Sequence, residues 1–298
     1  MPNMSRLIKR QTVNAEEIAA IEHLIAVCNE YEHLQMRVFI RMLQERPGTN
    51  TNDFLYYADD GSLIGYLCLT TWGEVDKEVM AMVDPAHRRK GIFRLMLEKA
   101  RQEFVADGGK YFTLVCERAS QSGAATMKAM HLALNFSEHE MHLGTFKAKN
   151  TFDDRLTFRQ ATTNDIDAVA KILMEDDVSE ESAHAIVARW LQDGKNRIYL
   201  ATLGGPDLGC DEPVGTLRLE DMGRPNELGI YGFVVRPDYR GKGYGRQMLE
   251  ECIRIARANG PVDVMLDVDA SNTRAFNLYH SAGFEIKTTY DYYHFEVL

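Results

Sequence analysis
The sequence predicts an α/β fold made of two tandem units, each a central mixed β-sheet flanked by helices. Three observations lead there. The chain has 298 residues, enough for two domains of about 100–200 residues each. A motif recurs at a constant offset of 152 positions, relating Val83 to Val235, Arg88 to Arg240 and Gly91 to Gly243. Around each copy, strand-like and helix-like periodicities follow one another in the same order.

The first half opens with helical stretches at 15–28 and 35–45, the latter stopped by Pro47-Gly48. Residues 54–58 and 63–70 read as paired strands around the turn Asp59-Asp60-Gly61, and 79–83 as a third strand. A Pro-containing loop leads to a helix at 93–106, apolar at three- and four-residue spacing. A strand at 111–116, a helix at 124–134 and a closing β-hairpin over 136–148 complete the half. The second half repeats the series. Asn164 or Asp165 caps a helix through 174, and Ser179 caps one through 191. Strands at 198–203, 214–220 and 228–235 precede a helix at 244–258, a strand at 262–268, a helix at 273–281 and a hairpin over 284–297. The polar stretch 147–155 is the junction, giving domains 1–150 and 151–298.

Composition narrows the function classes. With 45% hydrophobic and 26% charged residues, the chain can bury a core in each half, which argues against disorder. The net charge of −10 is uneven, −1 over 1–150 and −9 over 151–298. An acidic half repels phosphate backbones, which argues against nucleic acid and favours a cationic partner. Cys28, Cys68, Cys116, Cys210 and Cys252 are odd in number, with no CxxC pair and no His cluster at zinc-ligand spacing. They read as reduced thiols of a cytoplasmic protein without a metal. The polar N-terminus is not followed by an apolar run of about 20 residues, so no membrane partner is expected. Monomer and homodimer both stay open.

The chemistry-bearing segment is Arg240-Gly241-Lys242-Gly243-Tyr244-Gly245, set between a strand and a helix. Unpaired N–H groups and the positive dipole end of a helix attract an anion, and glycines let backbone approach it closely. The spacing matches neither the P-loop nor GxGxxG. A turn that merely caps a helix is the plain alternative.

The segment resembles the acetyl-CoA motif of the GNAT N-acetyltransferase superfamily, Arg/Gln-x-x-Gly-x-Gly/Ala, with Arg240, Gly243 and Gly245 at its three fixed positions. The stretch from Asp267 through Asn272, Tyr279 and Gly283-Phe284 is similar to the superfamily's second signature. The resemblance spans 156–298 and implies an acetyltransferase with acetyl-CoA as cosubstrate. It implies a thioester carbonyl held by backbone N–H groups near Phe233, Val234 and Val235, Tyr279 as proton donor to the departing sulfur, and Asn272 on the pantetheine arm. It implies direct attack by the amine of a small acceptor. Glu227, by strand parity with Gly229, Tyr231 and Phe233, is the candidate base, with Glu220 and Asp221 as alternatives. Each also reads as a solvated strand-end carboxylate. Asp176, Asp177, Glu180 and Glu181, and the turn-rich segment 204–213, are candidate borders of the acceptor site or plain surface.

The first half reads as a degenerate copy. Phe93 replaces the second motif Gly/Ala, and counting back from Asn135-Phe136 puts His131, in place of a tyrosine, at the proton donor's position. Arg88, Arg89 and Lys90 retain charge for CoA phosphates. The competing reading for the whole chain is a noncatalytic acyl-CoA-binding sensor or interaction protein.

Overall fold
The computed structural model describes residues 6–36, 38–71, 76–150, 152–174, 179–204, 212–224 and 226–297. Packing divides the chain into two compact units, Met1–Glu138 with Thr288–Leu298, and His139–Lys287.

In the first unit, β1 (Leu7–Arg10), β2 (Asp53–Tyr57), β3 (Leu63–Thr71), β4 (Asp76–Val83) and β5 (Tyr111–Glu117) lie side by side. Residues 290–296 of the last strand, β12 (Phe284–Glu296), pair antiparallel with β5. Only β4 and β5 are parallel among these pairs. Alternation along the strands separates two cores. Tyr66, Cys68, Met80 and Met82 face α1 (Ala15–Glu32) and α2 (Ile40–Gln44). Leu67, Leu69, Val79 and Phe112 face α3 (Ile92–Ala106) and α4 (Gln121–Ala129). Helix α1 starts where it does because Asn14 and Glu17 form a reciprocal capping box.

In the second unit the order is β7 (Leu156–Gln160), β8 (Asn196–Leu203), β9 (Glu212–Asp221), β10 (Glu227–Val235), β11 (Asp263–Asp269) and, from His139 on, β6 (Phe136–Leu143). β7, β8, β9 and β10 run antiparallel to their neighbours, and β10 and β11 are parallel. On one face α5 (Ile166–Leu173) and α6 (Glu180–Gln192) cover Ile198, Leu200 and Val234. On the other, α7 (Tyr244–Arg257) and α8 (Thr273–Ala282) cover Leu217, Leu219, Ile230, Val264 and Leu266. The fully buried Met248, Leu249, Cys252 and Ile253 of α7 recur at three- and four-residue spacing, each long apolar side chain contributing about 1.5–3 kcal/mol of burial.

Four expectations change. The hairpins expected over 136–148 and 284–297 are single strands, β6 and β12. The helix expected over 35–45 is reduced to the five residues of α2. Edge strands β1 and β7 were not expected. The polar stretch after β6 is docked: the Glu250 carboxylate accepts from the Lys149 N–H at 2.9 Å, and Gln247 Oε1 from the Asp153 N–H at 3.0 Å. Its backbone donors find partners on α7 that a solvated linker would take from water.

Candidate active site
The site is organised by a defect in β10. Parallel pairing with β11 extends only from Glu227↔Asp263 to Gly229↔Met265, although β10 continues to Val235 and β11 to Asp269. On its other flank β10 is bulged: Tyr231 pairs with Arg218, and Val234, three residues on, with Thr216, two residues back. Gly232 and Phe233 therefore have no ladder partner on either side. Gly232 has φ +55°, a conformation a side chain rarely adopts. Two strands that part beside a stretch of backbone outside both ladders leave a slot along that backbone. This is where Phe233, Val234 and Val235 were expected to act; Phe233 is the unmatched one, while Val234 and Val235 keep partners on β9.

At the mouth of this slot α7 begins at Gly243, whose φ of +90° turns the chain into the helix without any side-chain cap. The first-turn N–H groups thus stay open to an anion. Arg240 Nε donates to the Val235 carbonyl at 2.7 Å, tying the loop to the end of β10, and its guanidinium makes no ion pair among the described residues. Lys242 sits 5.2 Å from the Tyr239 ring centre. A Cβ on Gly245 would lie 3.4 Å from Val235 Cγ2 and 3.6 Å from Leu278, in ordinary contact, so an alanine would fit there as the motif allows. Gly241, at φ +78°, completes the turn. Tyr244 contributes backbone alone, because its ring is buried and its hydroxyl donates to Asp153 at 3.2 Å.

Across the slot, Asn272 caps α8 by accepting from the Ala275 N–H at 3.0 Å, and its Nδ2 donates to no group among the described residues. Seven residues on, Tyr279 is buried between Phe233 and Phe284, at 6.2 and 6.1 Å between ring centres. Its hydroxyl has no partner among the described residues, and burial pushes its pKa up to about 12, so it is a neutral donor at physiological pH.

The profile of the Acetyltransferase (GNAT) family matches residues 18–131 and 166–284. The chain belongs to the GNAT acetyltransferase family. Solved GNAT structures share its fold across the whole length. A GCN5-related N-acetyltransferase from Sphaerobacter thermophilus superposes with a TM-score of 0.82 at 20% identity, covering 100% of this chain and 97% of that one. A tandem GNAT protein from the clavulanic acid biosynthesis pathway gives 0.71 at 17% identity, with 98% of both chains covered. Curated relatives match a shorter stretch. The [Ribosomal protein bS18]-alanine N-acetyltransferases of Salmonella typhimurium and Escherichia coli K12 are each 38% identical over 63 residues, 21% of this chain and 43% of theirs. The chain thus spans less than half the length of these curated relatives.

GNAT acetyltransferases generally use acetyl-CoA, and the second GNAT unit fits it: a helix start without a side-chain cap, a guanidinium with no ion pair among the described residues and a gap between parted strands lie near one another. The acceptor side departs from expectation. The bulge reverses parity, so Phe233 packs toward α7 and α8, whereas Tyr231 stacks with Arg218, 5.3 Å away, on the α6 side. Trp190 of α6 stacks on the same guanidinium at 4.4 Å and lies 3.9 Å from where a Gly232 Cβ would be. Glu227, six residues from Phe233, stands about 20 Å back along the strand, too far to take a proton directly at the thioester. Its Oε2 accepts from Arg224 at 3.3 Å, and its buried Oε1 has no hydrogen bond among the described residues. Glu220 pairs with Arg218 at 2.5 Å. Asp176, Asp177, the Glu180 side chain and residues 205–211 lie outside the described residues; Glu181 is exposed. Among the described residues no group of three or more His, Cys, Asp and Glu is arranged for a metal, and no helix is long and apolar enough to cross a membrane.

The first GNAT unit lacks three of these features. β4 pairs with β3 without a bulge, from Gly65↔Val83 to Thr71↔Lys77. Phe93 occupies the place of Gly245 and packs onto the α3 core. The proton donor's counterpart is Met127 and not His131: Ser120 caps α4 as Asn272 caps α8, and Met127 is seventh from that cap as Tyr279 is. Met127 is buried, whereas His131 lies past the helix end with φ +56°. A thioether has no proton to give. Counting from the helix cap, and not from the following Asn-Phe, would have found it in the sequence.

Proposed function
We propose that this protein is an N-acetyltransferase whose second unit moves acetyl from acetyl-CoA to the amine of a small, cationic acceptor by direct attack. The observation that carries the reading is Tyr279, a buried, neutral and unpartnered hydroxyl beside the unpaired backbone of Gly232 and Phe233. The diphosphate is held by the first turn of α7 with Arg240 and Lys242, and Asn272 Nδ2 donates to the pantetheine arm.

The backbone N–H groups at the β10 bulge polarise the thioester carbonyl as negative charge grows on its oxygen. The neutral amine nitrogen bonds to the carbonyl carbon, the carbon–sulfur bond breaks, and Tyr279 gives its proton to sulfur. The proton lost by the amine passes to water, and Tyr279 is reprotonated from solvent. Glu220 and Glu227 act by charge, attracting a cationic amine toward the α6 side of the sheet. Trp190, Arg218 and Tyr231 form the wall beside the bulge. The similarity to bS18-alanine N-acetyltransferases adds a protein alanine amine to the acceptors worth testing.

Free-thiol release from acetyl-CoA across a panel of amines, polyamines, amino acids and peptide N-termini tests the reading. Turnover with at least one amine, lowered about 10²–10⁴-fold by Tyr279→Phe, is expected. Tight acetyl-CoA binding without turnover across the panel would favour an acyl-CoA sensor instead.

A further inference from the structure
The two units use the same two anchors at the offset of 152. In the second, Arg240 ties its loop to the Val235 carbonyl and Asn272 caps α8. In the first, Arg88 Nε donates to the Val83 carbonyl at 3.0 Å, and Ser120 Oγ caps α4 by accepting from the Gly123 N–H at 3.0 Å. Between these anchors β4 and β5 also part, their pairing ending at Val79↔Leu114. The first unit thus keeps the outline of the slot.

What differs is Glu32, the last residue of α1. Its Oε1 accepts from Arg88 Nη1 at 2.9 Å and from the Ser122 N–H at 3.3 Å. Its Oε2 accepts from Ser120 Oγ at 2.8 Å and from Ser122 Oγ at 3.0 Å. One carboxylate therefore joins the loop before α3 to the first turn of α4, two places that no carboxylate joins in the second unit among the described residues. The pair is sheltered, the Arg88 and Glu32 side chains being 21% and 13% exposed, and Tyr31 lies 5.3 Å from the guanidinium.

An entering polyanion would find the Arg88 charge neutralised, both serine hydroxyls committed and a helix-start N–H already bonded. It would also meet the repulsion of the carboxylate itself, or have to expel it from all four donors at once. We propose that Glu32 is a built-in occupant of the first unit's slot, which closes that slot to acetyl-CoA and leaves one cofactor site per chain. The nature of the excluded ligand rests on the function proposed above; the latch itself does not. Removing the carboxylate restores the Arg88 charge and the α4 donors and uncovers a second site for a CoA-type nucleotide.

Calorimetric titration of the full chain with acetyl-CoA, up to millimolar concentration, separates the outcomes, with thermal melts to verify that each variant is folded. The expected result is one equivalent for the wild type and one more for Glu32→Ala. The added site is the weaker, because Phe93 and the unbulged β4 remain. Two equivalents in the wild type, or no gain in Glu32→Ala, would overturn the proposal. No binding in the wild type with one equivalent in Glu32→Ala would sustain the latch and refute the reading of the second unit. Glu32→Gln, which keeps the size and removes the charge, gives an independent readout by hydrogen exchange. Amides of the first turn of α4 should exchange at least tenfold faster than in the wild type, with those of α8 unchanged. Equal rates at α4 would refute the latch.

Discussion

Tyr279→Phe removes one oxygen from the centre of the account. The Phe ring keeps its neighbours Phe233 and Phe284, and the lost hydroxyl leaves no partner unpaired among the described residues. Folding stability should therefore change by less than about 1 kcal/mol, and acetyl-CoA affinity by less than about twofold. Turnover is another matter. A phenol at about 12 lies well above the ordinary thiol value, a gap of ~3.5 units or ~5 kcal/mol against proton transfer to a fully formed thiolate. The proton must move as the carbon–sulfur bond breaks, where general-acid assistance is worth about 10²–10⁴-fold, or ~3–5 kcal/mol. Steady-state thiol release with a competent amine should show kcat reduced by that factor, with the KM for acetyl-CoA unchanged. The phenol stays protonated until the pH nears its raised pKa, so the wild-type rate should climb as the amine deprotonates and show no alkaline fall below about pH 10. A variant retaining more than half of wild-type kcat would refute the assignment.

Arg240→Ala should raise the KM for acetyl-CoA by about tenfold, the scale of one charge-assisted hydrogen bond, and leave kcat within about twofold once saturated; steady-state kinetics at two salt concentrations would check this. Glu227→Gln should lower kcat by less than about tenfold with an unaltered pH profile, since Glu227 stands about 20 Å along β10 from the reacting centre; a loss beyond about 10²-fold with a shifted acid limb would restore it as the base. Burial alone would raise the Glu32 pKa, and the hydrogen bonds from Ser120 and Ser122 with the Arg88 charge outweigh it and hold it below its ordinary value. Its stabilisation is therefore present above the unfolded carboxylate pKa of about 4.3 and is lost as pH falls through the lower folded value. Melting curves should then separate wild type from Glu32→Gln more widely at pH 7 than at pH 3.

The repeated order of strands and helices, the glycine-rich turn before α7 and the signature ending at Gly283-Phe284 were all legible because each is local. Gly243 and Asn272 sit at helix starts, where sequence chemistry dictates structure directly. What escaped depends on partners distant in the chain. The four residues of β1 and five of β7 are too short for alternation to register, and they exist because β2 and β8 offer edges. The run from Phe284 to Glu296 was read as a hairpin, yet it holds no Gly, Pro or Asn to make the turn, and it continues as one strand whose second part pairs with β5. Parity along β10 failed at one extra residue, the bulge at Gly232, which moved Phe233 to the opposite face from Tyr231. The same bulge opens the slot, so the local rule broke at the place the proposed chemistry needs it to break. Glu32 was invisible because nothing in α1 announces that its last carboxylate reaches Arg88 and α4.

The central claim, one working slot in the second unit beside a closed one in the first, is tested most directly by the structure of the full chain crystallised with acetyl-CoA. The account predicts a single molecule between β10 and β11, its diphosphate on the first turn of α7 and its carbonyl oxygen facing the unpaired backbone of Gly232 and Phe233. Glu32 should still bridge Arg88 and Ser122. Acetyl-CoA lodged between β4 and β5, with Glu32 displaced, would contradict it.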